Sequence, residues 1–274
     1  QLLPVSYPGS GVPDVFRNWP AVLQNKGWEF NFTARIVDEK DFSWSMGVNW
    51  TLPVNTLKSF PGLAQTQFAQ ILMVGQPLSV VQVRRFTGVD AAKGLFTFGD
   101  SMVGHFDATG FGGLHTELRY KRIGMLATVD ARHAMGNNYL TTLYLTNPPG
   151  STLYGLMSNA PAALTQRWEA PGQHAPYQQV TTDLNTPAGR EIPLYTASSA
   201  RLTNASFIRL KIIKLSYCVA DNMLKHLHLS NLTLYIAGQD LLTFTPYKNV
   251  DPEIQNANIL PPLRIIEAGL SVGI

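Results

Sequence analysis

The sequence is poor in cysteine, in charge and in long apolar runs. Cys218 is its one cysteine, which excludes an internal disulfide framework and a thiolate zinc site. At a strand end it reads as a small packing residue. Charged residues are 14% of the 274, against about 25% in a typical soluble domain. Hydrophobic residues reach 45%, yet no run is long enough for a transmembrane helix, so β-strands would have to make any membrane crossing. The formal net charge is +3 with no long basic run, so nothing supports a nucleic-acid partner. P-loop, nucleophile-elbow and zinc-ligand spacings are missing, which points away from an enzyme, a cofactor and a metal. His226 and His228 beside Lys225 lack companion carboxylates or cysteines and read as an ordinary turn. The start, Gln1 to Tyr7, has neither the charged beginning nor the apolar run of a signal peptide. The expectation is that a leader was removed or that residue 1 does not begin the protein.

What is present is alternation. Trp28, Phe30, Phe32, Ala34 and Ile36 alternate with Glu29, Asn31, Thr33 and Arg35. After the polar turn Asp38-Glu39-Lys40, Phe42, Trp44, Met46, Val48, Trp50 and Leu52 alternate with Ser43, Ser45, Gly47, Asn49 and Thr51. Successive strand side chains point to opposite faces, so this is a hairpin with one apolar and one polar face. Its length is about what a tilted strand needs to cross a bilayer. A hairpin of a soluble β-sandwich has the same local pattern.

The remaining chain supplies the distinction. Further alternating strands are expected over 114–120, 123–131, 205–217, 232–236 and 268–274, with a bulge near Lys211-Ile212 where the phase shifts by one residue. Leu78 to Phe86 reads as a short strand. Residues 1–25, 53–109, 135–203 and 242–262 read as loop or mixed structure, rich in Gly, Pro and Asn. That gives about seven strands. The turns at 38–40, 121–122 and 219–229 are short, and the connections between them are long. Short and long ends that alternate in this way suit an antiparallel transmembrane β-barrel, with short periplasmic turns and long extracellular loops. Seven strands leave two unpaired edges, which lipid does not tolerate, so the chain is expected to be part of a larger barrel.

Several stretches carry a family resemblance. They are Asn204-Ala205-Ser206-Phe207-Ile208-Arg209-Leu210-Lys211, Leu215-Ser216-Tyr217, the run from Leu234 to Thr245, Tyr247-Lys248 and Asp251-Pro252-Glu253. Upstream are Asn25 to Glu29, Asp41 to Trp44, Val74 to Pro77, Gly88-Val89-Asp90, Tyr120-Lys121 and Arg167 to Gly172. In this order they resemble the C-terminal part of the SusC/RagA family, the TonB-dependent outer-membrane transporters of Bacteroidota. The resemblance implies an all-β fold: about the last third of a barrel of about twenty-two strands with a plugged lumen. Residues 1–274 would be one stretch of that barrel, and the plug, the TonB box and the early strands have no counterpart in them. Asp240 stands where the family usually has Asn. The loop expected at 96–109 lacks an Asp-rich run, so no calcium is expected there. Ile274 stands where an outer-membrane protein usually has a terminal aromatic.

The resemblance implies TonB-powered import of an oligosaccharide or peptide across the bacterial outer membrane. The implied partners are a SusD-like lipoprotein, TonB, the rest of the barrel and the lipid bilayer. A structural or assembly subunit on the same scaffold is the alternative. Glu29, Arg35, Glu117, Arg119, Asp130, Arg132 and Arg209 are expected to line the lumen together with Asn49. Trp28, Phe32, Phe42, Met46, Ile123, Ala127, Leu232 and Ile236 are expected to face lipid. Tyr154, Arg167, Trp168, Tyr177 and Tyr195 lie in the 135–203 stretch, where aromatic faces could stack on a substrate or a partner, or pack within the loop.

Overall fold

The computed structural model describes residues 2–5, 15–146, 162–181, 183–220, 224, 229–256 and 259–273. In chain order the strands are β1 (Leu2–Val5), β2 (Val15–Asn18), β3 (Val22–Asp38), β4 (Phe42–Ser59), β5 (Val80–Val89), β6 (Phe96–His105), β7 (Ala108–Tyr120) and β8 (Ile123–Asn137). Helices α1 (Tyr139–Thr146) and α2 (Pro187–Thr196) follow, then β9 (Leu202–Asn204), β10 (Phe207–Cys218), β11 (Asn231–Phe244) and β12 (Ile265–Gly273). The chain divides into two compact units. One holds residues 27–53, 108–134 and 205–274, the other 1–26, 54–107 and 135–204. Most of the long connections at 53–109 and 135–203 fall in the second of these.

The first unit is built on the sheet β12-β11-β10-β8-β7-β4-β3. The short turns all fall at one end of this meander, as the spacing predicts. Register fixes the faces. Met46 pairs with Thr116, which pairs with Ala127, then Ile213, Gly238 and Ile266. This row belongs to the apolar face. Trp28 is 71% exposed, Phe244 66% and Leu270 64%, so large apolar side chains here stand outward. The expected bulge is found: relative to β8, Lys211 is the extra residue between Leu210 and Ile212. Opposite, β11 accommodates residues 240 and 241 in the same interval. Asp240 takes φ 50° there, a left-handed conformation that Asn and Asp tolerate better than most side chains.

The strands run longer than the alternation suggests. β3 has 17 residues and β4 has 18. The extension includes Gly27 and Pro53, which break the pattern in sequence. A Cβ on Gly27 would lie 2.6 Å from the Leu52 carbonyl oxygen and 3.2 Å from Pro53 Cα, so glycine permits the close approach. β11 likewise runs on to Phe244, so the loop expected from 242 starts at 245.

In the second unit the expected loops contain structure. Residues 1–25 include the β1–β2 hairpin and the start of β3. The strand expected at 78–86 is β5, paired with β6, so most of the expected 96–109 loop is strand. Residues 135–203 hold α1, α2 and β9. Thr186 caps α2, its hydroxyl accepting the Gly189 N–H at 3.1 Å, with Pro187 at the first turn. Two buried clusters form the core here. One is Leu57, Phe60, Phe68, Leu72 and Ala21, with Trp19 packed on it. The other is Phe96, Leu164, Ile192 and Tyr195.

Candidate functional site

The polar face of the sheet carries the candidate site. One row runs across five strands: Asn49 beside Gly113, Gly113 beside Asp130, Asp130 beside Arg209, Arg209 beside Thr243. The next row toward the long connections places Thr51, Phe111, Arg132 and Phe207 side by side. Toward the short turns, Ser45, Glu117, Leu126, Lys214, Ala237 and Glu267 make another row. Alternation alone puts these groups on one face. Register is what sets Arg132 between Phe111 and Phe207, and Asp130 between Gly113 and Arg209.

A cleft of about 480 Å³ lies on this face, lined by Asn49, Phe111, Gly113, Asp130, Arg132, Phe207 and Glu253, among others. Its floor is bare backbone at Gly112-Gly113. A Cβ on Gly113 would come within 2.9 Å of the Val129 carbonyl oxygen and 3.3 Å of Asp130 Oδ1. The Gly113 N–H donates to Asn49 Oδ1 at 3.1 Å. The cleft thus combines carboxylates, a guanidinium, an amide and two aromatic rings. It can donate and accept hydrogen bonds and offer an apolar ring edge or face, as ligand sites commonly do. It contains no nucleophile–base pair, and no metal-ligating cluster occurs among the described residues.

Behind the cleft sits a buried ion cluster. Arg209 is 1% exposed. Its Nε donates to Thr243 Oγ1 at 3.0 Å, one terminal nitrogen donates to Glu253 Oε2 at 2.8 Å, and the other to Asp251 Oδ2. The guanidinium also lies 5.1 Å from the Phe207 ring centroid. Lys211 Nζ is 3.4 Å from Asp240 Oδ1 and 3.6 Å from Glu253 Oε2. A buried cation needs such pairing, because desolvation costs several kcal/mol that only well-placed charges and hydrogen bonds offset. The forked guanidinium meets two carboxylates at once, which lysine cannot.

The structure sorts the residues expected to line the lumen. Asp130 and Arg132 reach the cleft. Arg209 shares their face, but its side chain is buried beneath the 245–256 connection, so it does not line an open space. Glu117 and Arg119 share the face nearer the short turns, where Arg119 Nε donates to Ser43 Oγ at 3.3 Å. Arg35 pairs with Asp38 at 2.7 Å in the open, and Glu29 is exposed. Glu253 was not among the expected residues, although Asp251-Pro252-Glu253 was one of the stretches carrying the resemblance.

The expected loop residues fare differently. Tyr195 is 3% exposed and stacks on Phe96 at 4.1 Å between centroids, so its ring is core and offers no face to a ligand. Burial drives its phenol far above the usual range, with a smaller contribution from Tyr177. Tyr177 is half-buried against the same cluster, and burial raises its phenol too. Trp168 Nε1 donates to the Ala91 carbonyl at 2.8 Å, and its ring lies where a Cβ on Gly94 would stand. Arg167 pairs with Glu169 at 2.8 Å. Tyr154, His226, His228 and Ile274 lie outside the described residues.

No family model matches the chain. The chain is 27% identical over 91% of its length to TonB-dependent receptor P3 of Formosa agariphila. It is 22% identical over 85% to TonB-dependent receptor P26 of the same organism. It spans 27% and 26% of those two proteins, about a quarter of each. Among solved structures, the RagAB peptide transporter covers 99% of the chain with a TM-score of 0.75 at 20% identity. The RagAB peptide importer in its open-open state covers all of it with the same score and identity. The chain spans about a third of those solved chains, 32% and 31%. At that identity the likeness is one of fold. The fold is therefore an antiparallel transmembrane barrel segment, and no helix among the described residues is long and apolar enough to cross a membrane.

Proposed function

We propose that this chain, a stretch of a TonB-dependent receptor of the SusC/RagA kind, forms part of the wall of a bacterial outer-membrane barrel that imports an oligosaccharide or a peptide. One observation carries the reading: the seven-strand sheet has opposite chemistry on its two faces. Trp28, Phe32, Ile123 and Ile236 stand outward and uncovered on one, while the other carries Asp130, Arg132, Glu117 and the cleft. A soluble sheet buries its apolar face. A barrel wall turns it to lipid and keeps the polar face for a wet lumen.

On this reading residues 1–274 supply about the last third of the barrel, and the polar-face residues line its lumen. TonB powers transport through a plug carried elsewhere in the protein, and a SusD-like lipoprotein pairs with it on the outer face. Arg167, Trp168 and Tyr177, each half-buried, are candidates for substrate or partner contact from the long connections, and Tyr154 stays a candidate on the sequence alone. The mixed charge and aromatic rings of the cleft suit a ligand rich in hydrogen-bonding groups, which both candidate substrate classes are.

The test is uptake of labelled oligosaccharides and peptides by cells carrying the full-length receptor, with and without TonB. TonB-dependent uptake of one class is the expected result. Loss of the receptor with no change in uptake, but with loss of an outer-membrane complex, would favour the scaffold alternative.

A further inference from the structure

The cleft has one wall that does not belong to the sheet. Glu253 lies in the connection after β11, yet it lines the cleft with Asp130 and Arg132. The connection from 245 to 256 is tied down at two points. Near its start, Thr245 Oγ1 donates to the Ser206 carbonyl at 2.7 Å, and the Tyr247 N–H donates back to Thr245 Oγ1 at 3.0 Å. Farther on, Asp251 and Glu253 both accept from Arg209.

Asp251 divides its two oxygens. Oδ2 meets the guanidinium, while Oδ1 accepts the N–H groups of Glu253 and Ile254 at 2.9 and 3.2 Å. The same side chain therefore folds the local turn and anchors it. Its cation comes from the middle of the sheet. Arg209 is the cross-strand neighbour of Asp130, but its side-chain bonds run to Thr243 and the connection, and Asp130 lines the cleft. The bulge contributes as well. It brings Lys211, close after Arg209, within 3.6 Å of Glu253.

We propose that Arg209 is a positioning residue for the cleft, and that residues 245–256 are a strap it holds across the polar face. Two ion pairs to one buried guanidinium place Glu253 as a wall of the cleft. Releasing them frees the strap as a unit and opens the cleft on that side, while the sheet beneath stays paired. The cleft's width is then set by a docked segment and not by the barrel wall alone. This inference does not depend on which substrate is carried or on whether transport is TonB-driven.

Hydrogen–deuterium exchange on the full-length receptor in detergent tests it, read at the amides of Tyr247, Glu253, Ile254 and Gln255 and separately in β8, β10 and β11. Arg209→Gln should speed exchange in 245–256 by about a hundredfold or more, because one half of a buried pair is removed. Arg209→Lys should fall between, since an ammonium replaces the fork with a point contact. The strands should keep their protection. A Pro252→Cys probe in a Cys218→Ser background adds a second readout. Pro252 is buried, so a maleimide should label the introduced thiol quickly only when Arg209 is replaced. Unchanged exchange in 245–256, or parallel loss through β10 and β11, would overturn the proposal. If Arg209→Gln does not assemble, Glu253→Gln decides: faster exchange confined to the strap supports the proposal, and no change contradicts it.

Discussion

The two units use the same kinds of side chain in opposite ways. In the unit of long connections, Phe96, Ile192 and Tyr195 turn inward and are 3–5% exposed. In the sheet, Trp28, Phe32, Phe244 and Leu270 turn outward and are 59–71% exposed. Among the described residues, the charged residue buried deepest belongs to the sheet: Arg209, at 1%. One unit has an apolar interior, as water-soluble proteins do. The other is inverted, with its apolar surface outward and its ions within. The lesson is that apolar content alone does not say where a core lies. Register and side-chain direction do.

The contrast predicts different costs for the same kind of truncation. Phe96→Ala removes a ring stacked on Tyr195 and edge-on to Phe86. It should destabilise the connection unit by about 3–5 kcal/mol, through lost burial and a cavity. Proteolysis of the full-length receptor, read as cleavage within 54–107 and 162–201, measures it. If Phe96→Ala is silent, the connection unit lacks the packed core described above.

Charge on the outward face comes next. Met46→Arg should cost about 2–4 kcal/mol in the bilayer, the range for a cation near the midplane. Asn49→Arg, on the polar face next to the cleft, should cost far less, because water can solvate it. Refolding into bilayers of the barrel that carries this chain gives both values. Equal penalties would remove the distinction between the faces.

The smallest effect is expected for Met46→Ala. Lipid chains can fill the space a shortened side chain leaves, so the cavity term that dominates the Phe96 truncation largely disappears. A loss as large as that for Met46→Arg would mean that Met46 packs in a protein core.

Much of the sheet was legible because strands advertise themselves by period two. The alternation of 114–120 and 123–131 and the phase shift at Lys211 all correspond to observed elements. What was missed follows from local breaks in that signal. Gly27 and Pro53 interrupt the pattern but sit within paired strands. In β11 Leu242 and Phe244 keep the phase of Ile236, but Gly238 and Asp240 stand where the alternation calls for apolar residues and so hide its last residues. In the β5–β6 hairpin the signal was present at the turn. Asp90 Oδ1 accepts the Ala92 and Lys93 N–H groups at 2.8 and 3.1 Å, and Gly94 takes φ 66°.

The site was legible as a face but not as a cleft. Asp130 and Arg132 could be placed on the polar side by counting. That Arg209 is buried could not, because its carboxylates come from 42 and 44 residues downstream. Tyr195 is the converse case. Its stretch left open whether the ring meets a ligand or packs within the loop, and helix α2 carries it into a core.

The most direct test of the two-faced wall uses one spin label at a time, attached through Met46→Cys or Asn49→Cys, in the full-length receptor in lipid bilayers with Cys218 replaced by serine. Collision with dissolved oxygen reports contact with lipid, and collision with a water-soluble nickel complex reports contact with water. The account predicts that the label replacing Met46 is open to oxygen and shielded from nickel, and that the label replacing Asn49 shows the reverse. Nickel access at position 46 with oxygen access at position 49 would contradict it.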